Sequence, residues 1–220
     1  MELQKIRDDF DRLALFDDDG WSHNSHYGDY LLRHIPAGSG HAATALEIGC
    51  GTGHFARQLA ARYDRVIAVD PSPQMIRVAQ ARSGGFPNIE YQVGEVMAMA
   101  FPAGSFDCIA SIATLHHLPL PAVLQRMKET LKPGGVLLAL DLFEAEAQRL
   151  PDLLRSAVAL RLLRLRTSPA ARAAWAEHGR TDRYVRVSDV RQLCRDLLPG
   201  AVVRKHLFWR YSLVWRKPAQ

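Results

Sequence analysis

The chain has 220 residues, 48% of them apolar, and a formal net charge of +5. That length predicts a single domain, spanning 1–220, with a sizeable core. No apolar run approaches the ~18 residues of a membrane span, the acidic amphipathic start is unlike a secretory signal, and three cysteines in dissimilar settings form no disulfide framework, so the cytoplasm is the expected compartment.

Residues 2–15 read as a helix, with Leu3, Ile6, Phe10, Leu13 and Ala14 at helical spacing. "DDDGWSHNSHYGDY" reads as a loop that clusters Trp21, His23, Tyr27 and Tyr30. A helix over 25–35 stops before Pro36. Strands and helices then alternate. "TALEI" and "RVIAVD" are strands flanking the helix "HFARQLAARY"; "PQMIRVAQAR" is a helix with Ser72 as N-cap and Pro73 in its first turn. "NIEYQV" and "SFDCIASI" are strands, "PAVLQRMKETL" is a helix that ends at "KPGG", and "VLLALDLF" is a strand. This alternation predicts an α/β fold, a doubly wound, mostly parallel sheet with helices on both faces. The near-continuous apolar strands agree, since both of their faces must be covered.

Residues 144–187 form a long connection, which predicts a helical lid insertion. The stretch "RSAVALRLLRLRTSPAARAAW" within it carries five arginines and no acid. Arg155 and Arg164 lie about half a turn apart, so no clean apolar stripe forms. A solvated arginine-rich face is the plain reading, and an anionic partner the sharper one. His178, Arg183 and Tyr184 are further substrate-facing candidates. "AVVRKHLF" and "YSLVWRK", separated by "WR", predict an antiparallel C-terminal hairpin.

The chemistry concentrates in "ALEIGCGTGHF", which sets Gly49, Gly51 and Gly53 between a strand and a helix. Such a turn lets a ligand approach the backbone near the positive end of the helix. Asp70 closes the next strand about 20 residues on, where a carboxylate can hold both hydroxyls of a ribose. The third glycine falls one place early for the dinucleotide fingerprint, and Glu47 stands before the loop. Both features favour a nucleoside cofactor with an amino-acid tail, whose ammonium suits a nearby carboxylate.

With these residues the sequence resembles the class I S-adenosylmethionine-dependent methyltransferases, particularly the small-molecule, ubiquinone/menaquinone-type (methyltransferase type 11) branch. The resemblance covers roughly residues 20–143, with a weaker match in the terminal hairpin. It rests on "LEIGCGTG", "VIAVDPSPQMIRVAQ", "YQVGEVMAMAFPAGSFDCI", "SIATLHHL" and "LKPGGVLLALD", five motifs in the family's order. It implies a seven-stranded Rossmann-like sheet, S-adenosyl-L-methionine as cofactor and S-adenosyl-L-homocysteine as product. It further implies that Gly49 and Gly51 approach the cofactor, Asp70 holds the ribose, and Pro71 or Ser72 lines the adenine. Glu95, where the family often has Asp, or the backbone of Val96 then meets the adenine amine. The backbone of Ser111 faces the methionine part, and residues 1–35 form an N-terminal helical cover in which Tyr27 touches the methionine carboxylate.

His116 and His117 follow the fourth strand at the sheet's carboxyl edge, where such folds bind ligands. Asp141 ends the fifth strand on the same edge. His116 is therefore the expected general base, oriented by Asp141, for methyl transfer to oxygen or nitrogen, with carbon or sulfur as the less favoured acceptors. The Leu-His-His-Leu stretch also occurs in family members that methylate carbon, so the histidines could instead only shape the loop. Cys50, Cys108, Met97 and Met99 read as packing residues, and no metal is expected. The expected partner is a small-molecule acceptor, with a homodimer as the only assembly entertained. Two other functions compete: a nucleic-acid methyltransferase, for which neither an Asn/Asp-Pro-Pro-Tyr motif nor a Pro-Cys nucleophile is present, and a non-catalytic subunit that binds the cofactor.

Overall fold

The computed structural model describes residues 2–16, 25–36, 42–144, 169–179 and 182–219. Strands β1 (Thr44–Ile48), β2 (Arg65–Asp70), β3 (Ile89–Val93), β4 (Phe106–Ile112), β5 (Leu131–Leu142), β6 (Val202–His206) and β7 (Arg210–Arg216) form one sheet. Its order is β3-β2-β1-β4-β5-β7-β6. The first five strands run parallel, and β7 is antiparallel to both β5 and β6. The helices are α1 (Glu2–Leu13), α2 (Gly28–Leu32), α3 (His54–Ala60), α4 (Pro73–Arg82), α5 (Leu120–Thr130), α6 (Pro169–His178) and α7 (Val187–Leu197). Among the described residues no helix is long and apolar enough to cross a membrane.

The sheet is apolar on both faces because its strands alternate between two cores with a period of two. Leu46, Ile48, Ile67, Val69, Leu137, Ala139, Leu213 and Trp215 point to one core, shared with Leu124 and Met127 of α5 and Val190 and Cys194 of α7. Ala45, Val66, Ala68, Val136, Leu138 and Leu140 point to the other, shared with Leu31 of α2, Phe55 and Leu59 of α3 and Ile76 of α4. A third, smaller cluster lies under α1, where Leu13 and Ala14 meet Met75 of α4, flanked by Phe10 and by Ala174 of α6. The N-terminal helix thus lies across α4 and α6.

Two local expectations are revised. The helix expected over 25–35 is one 3₁₀ turn, Ser25–Tyr27, followed by the five-residue α2. The chain leaves that helix at Arg33, ahead of Pro36, whose ring disfavours helix in the residue before it. The helix α5 ends ahead of "KPGG" as expected, but the strand expected from Val136 already begins at Leu131, so "KPGG" belongs to β5. Gly134 N–H donates to the Lys217 carbonyl, and Lys217 N–H to that of Gly135. The glycines are drawn into the sheet by a segment 82 residues further on, which no local pattern signals. Lys217 Nζ also bonds the Lys128 and Leu131 carbonyls, satisfying the end of α5.

The loop between β1 and α3 is a run of positive-φ glycines, +71° at Gly49, +50° at Gly51 and +79° at Gly53. Their missing side chains serve different ends. A Cβ at Gly49 would fall 2.0 Å from Thr114 Oγ1, and one at Gly53 would fall 2.3 Å from the Tyr91 hydroxyl, while one at Gly51 would meet nothing within 4 Å. Tyr91 cannot move aside freely, since its hydroxyl bonds Ser83 at 2.8 Å. Gly53→Ala is therefore expected to lower the unfolding free energy by about 2–4 kcal/mol, overpacking added to left-handed strain. Gly51→Ala carries only the strain, about 1–2 kcal/mol. Urea unfolding of the two variants tests the order, and equal losses would contradict the packing.

Candidate active site

The carboxyl ends of β1, β2, β4 and β5 share one edge of the sheet, and each carries a polar group into it. Glu47, near the end of β1, is 2% exposed. Its carboxylate accepts the Ala56 N–H of α3, and burial, reinforced by the charge of Asp70, raises its pKa well above the ordinary range against the pull of Arg57. Its Oε2 has no hydrogen-bond partner. An orphaned buried carboxylate oxygen is costly unless something meets it, and an ammonium group has the right charge.

Asp70, at the end of β2, holds the glycine loop against the next turn. Its Oδ2 accepts the Gly51 N–H and its Oδ1 the Ser72 N–H, each at 2.9 Å. Burial raises its pKa from 3.8 to about 6 even against those two bonds. Each oxygen keeps a lone pair for a further donor. Ser72 is fully buried, and its hydroxyl caps α4 by accepting the Met75 N–H and donates to Asp11 at 2.5 Å. Asp11 also accepts the Gln74 N–H, so α1 is tied to the start of α4. Pro71 is half-buried beside it.

The β3–β4 loop passes through Glu95, whose carbonyl accepts the Ala98 and Met99 N–H groups, and the buried Val96. Arg126 of α5 pins this loop through the Met97 and Met99 carbonyls, and both methionines pack on the core as expected. Ser111 in β4 is fully buried, its hydroxyl donating to the Ile48 carbonyl at 3.0 Å. Tyr27 is buried and donates its hydroxyl to the Leu207 carbonyl in the β6–β7 turn, at 3.3 Å. The open space beside Gly51, the free lone pairs of Asp70 and the orphaned oxygen of Glu47 together fit an adenosyl group with an amino-acid tail.

Beyond β4, Ala113 adopts φ +52°, a left-handed conformation uncommon outside glycine. It turns the chain into a 3₁₀ turn, Leu115–His117. His116 thereby comes over the end of β5, with its Nδ1 2.6 Å from Asp141 Oδ1. Both side chains are at most 3% exposed. The convergence expected from two strand ends is present. With Nδ1 donating to a carboxylate, Nε2 carries the lone pair.

Around this pair the structure assembles the candidates His117, His178 and Tyr184 with three groups that sequence reasoning missed, Asp182, Asp9 and Arg210. Asp182 stands 3.9 Å from His116 Nε2, 3.8 Å from His117 Nδ1 and 3.7 Å from His178 Nε2. His178 Nδ1 lies 3.4 Å from Asp9, which bonds Arg12 at 2.5 Å. Tyr184 donates to Asp182 at 3.0 Å, and burial beside that carboxylate raises its pKa. Burial next to His116 lowers the pKa of His117 to about 4. The half-buried Arg210 guanidinium, its pKa lowered by desolvation, acts on Asp141, Tyr184 and Tyr27. His178 and Tyr184 thus reach the site, whereas Arg183 is exposed. The one signal for Asp182 was its position four residues after His178; Asp9 and Asp11 had none beyond helical spacing. Trp21, His23, Arg155, Arg164 and most of the 144–187 insertion lie outside the described residues. Cys50 and Cys108 are buried, and burial raises both thiols, as suits packing rather than nucleophilic residues.

Comparison with known proteins agrees with this fold. A family model described as "Methyltransferase domain" matches residues 45–135. An uncharacterized methyltransferase of Mycobacterium tuberculosis is 30% identical over 205 residues, covering 91% of this chain and 99% of the relative. The ubiquinone biosynthesis O-methyltransferase of Xylella fastidiosa is 31% identical over 161 residues, covering 68% of this chain and 64% of that protein. Among solved structures, the N-methyltransferase NodS of Bradyrhizobium japonicum, in complex with S-adenosyl-L-homocysteine, superimposes with a TM-score of 0.66 at 21% identity, covering 96% of this chain and 98% of that one. The fold, the family model and the full-length relative coincide: the chain belongs to the class I S-adenosylmethionine-dependent methyltransferases, and S-adenosylmethionine is its cofactor.

Proposed function

We propose that this enzyme methylates an oxygen or nitrogen atom of a small molecule, with His116 as the proton acceptor and Asp141 as the group that holds it. The observation that carries this reading is the 2.6 Å contact between His116 Nδ1 and Asp141 Oδ1 at the carboxyl edge of the sheet. The contact presents Nε2 as the basic nitrogen, and an imidazolium formed there would lie between Asp141 and Asp182. The O-methyltransferase among the relatives supports an oxygen acceptor.

On the cofactor side, Asp70 accepts from the ribose hydroxyls, Gly49 and Gly51 border the sulfonium-bearing chain, and Glu47 faces its ammonium. Tyr27 and the Ser111 backbone approach the amino-acid end. Pro71 and Ser72 flank the adenine, with Glu95 and the Val96 backbone at its amine. Bound S-adenosylmethionine supplies a methyl group already activated on a sulfonium sulfur. The protein's own part is to align the acceptor, exclude water and take up the proton the acceptor loses. His116 does the last, receiving that proton at Nε2 while Asp141 keeps the Nδ1–H in place.

Asp70 gives this reading a pH signature. Its folded-state pKa of about 6 lies above the ordinary value because ionisation is penalised by burial. The ionised form is the one that accepts from two hydroxyls, so cofactor binding favours loss of the proton. Affinity for S-adenosylmethionine is expected to be level above about pH 7 and to fall by up to roughly tenfold per unit below about 6. The free chain should change the other way: the penalty of the buried charge, full above pH 6, is relieved as the pH falls from 6 towards 4. Calorimetric titration between pH 5 and 8 measures the first effect. Asp70→Asn should weaken binding about 10- to 100-fold, the worth of one hydrogen bond to a charged group, and flatten the profile. Unchanged affinity in that variant would remove Asp70 from the ribose.

His116→Ala should lower turnover by roughly 10²–10⁴-fold while leaving cofactor affinity within a few-fold. Release of S-adenosyl-L-homocysteine is followed with a panel of phenols, hydroxy acids and primary amines. Full turnover without the imidazole would retire His116 as the base.

A further inference from the structure

The groups around Asp182 do not stand as a hydrogen-bond network does. Asp182 lies 3.7–3.9 Å from three imidazole nitrogens, those of His116, His117 and His178, beyond the roughly 3.2 Å limit of an N–H···O bond. Tyr184 donates a hydrogen bond to it at 3.0 Å. The side chains of His116, His117 and Asp182 are 3%, 9% and 7% exposed. His116 bonds Asp141 and His178 bonds Asp9, so the desolvation of the cluster is compensated in part, from outside, and not by bonds from the imidazoles to Asp182. His117 Nε2 and Asp141 Oδ2 add to the remaining cost, since both are buried and without a partner.

Spacings of this kind, within the range of ion pairs, also suit ligands around a common cation. Zinc binds imidazole nitrogen at about 2.0–2.1 Å and carboxylate oxygen at about 2.0–2.2 Å, which sets neighbouring ligands of a tetrahedral ion roughly 3.3–3.5 Å apart. One atom each from His116, His117 and Asp182 lies within 4.8 Å of the others, so separations that shrink by a few tenths of an ångström to at most about 1.5 Å close the set. The tautomer is already chosen. His116 gives its Nδ1–H to Asp141, which leaves Nε2 as the ligand nitrogen in the carboxylate–histidine–metal arrangement common in metalloproteins. Two imidazoles and one carboxylate suit zinc, cobalt or iron(II) over magnesium or calcium, which prefer oxygen alone.

We infer that His116, His117 and Asp182 bind a divalent transition-metal ion of the zinc class, with Asp141 orienting His116 as the outer carboxylate. This revises the expectation of a metal-free site, and it rests on the reading above that the acceptor meets the methyl group beside His116. With the ion in place, the acceptor binds it as an oxyanion, a hydroxyl losing its proton to solvent on binding and a carboxylate entering already ionised. The loaded enzyme then uses His116 as a ligand rather than as the proton's destination, and its substrates are compounds with an acidic or chelating oxygen.

The test is direct binding of Zn²⁺, and of Co²⁺ as a spectroscopic probe, to the full chain after treatment with chelator. One equivalent is expected, with the visible absorption of tetrahedral or five-coordinate Co²⁺. Asp182→Asn and His117→Gln should each weaken Zn²⁺ binding by more than 100-fold, and Asp141→Asn by about 10- to 100-fold. Circular dichroism confirms that each variant is folded, and either ligand variant alone suffices. Absence of stoichiometric binding, or binding indifferent to both ligand variants, overturns the inference. The two readings fail separately. If no ion binds yet His116→Ala loses turnover, the imidazole is the base and the metal falls. If the ion binds at these residues but turnover survives both chelation and His116→Ala, the acceptor does not meet this cluster and both roles fall.

Discussion

The Asp70 carboxylate is the hinge on which the site depends. It is a buried charge kept in place by two backbone N–H groups, one from the glycine loop after β1 and one from the turn before α4. Those bonds bring two crossover connections to the same point, so the cleft between them has fixed walls before any ligand arrives. The arrangement costs stability, since burial pushes the group to about 6. A fold that only needed to join two loops could do so with an uncharged side chain. The carboxylate makes physical sense once hydroxyl donors share it.

The second wall is fixed by shape rather than charge. Gly49 has no side chain because Thr114 occupies that space, and the Thr114 hydroxyl reaches back to the Gly49 and Ile112 carbonyls. The glycine loop and the histidine loop are therefore one packed unit. The left-handed Ala113 stores an order of 1–3 kcal/mol at the junction. That strain holds because Ala113 N–H bonds the Leu140 carbonyl of β5 at 2.7 Å, and its result is to set His116 over Asp141.

How much of this was legible in the sequence follows from how local each cause is. The strands were legible because alternation and two-faced burial leave a mark within five or six residues. Ser72 and Pro73 marked the start of α4 for the same reason. The approach of His116 to Asp141 was legible one step further on, because parallel strands place their carboxyl ends on one edge. What escaped depends on contacts between distant segments. Gly134 and Gly135 look like the break between a helix and a strand until Lys217 pairs with them. Asp11 looks like one more acid on a solvated helix until it meets Ser72, 61 residues away. Asp9 meets His178 across 169 residues, and nothing near either residue announces it.

Those distant contacts also say what the N-terminal helix is for. Leu13 and Ala14 give α1 an apolar footing on Met75, but the footing is small. Polar anchors supply the rest: Asp11 on the start of α4, and Asp9 between Arg12 and His178. Phe10 packs edge-on against both the His117 and His178 rings, which shields the histidine cluster with an apolar surface. Water is thus kept from the imidazoles on the α1 side, and electrostatic interactions inside the cluster are correspondingly stronger than in solvent. A cover that excludes water while contributing its own carboxylate does two things at once. It strengthens whatever charge the cluster holds, and it ties the seating of α1 to the charge balance within it.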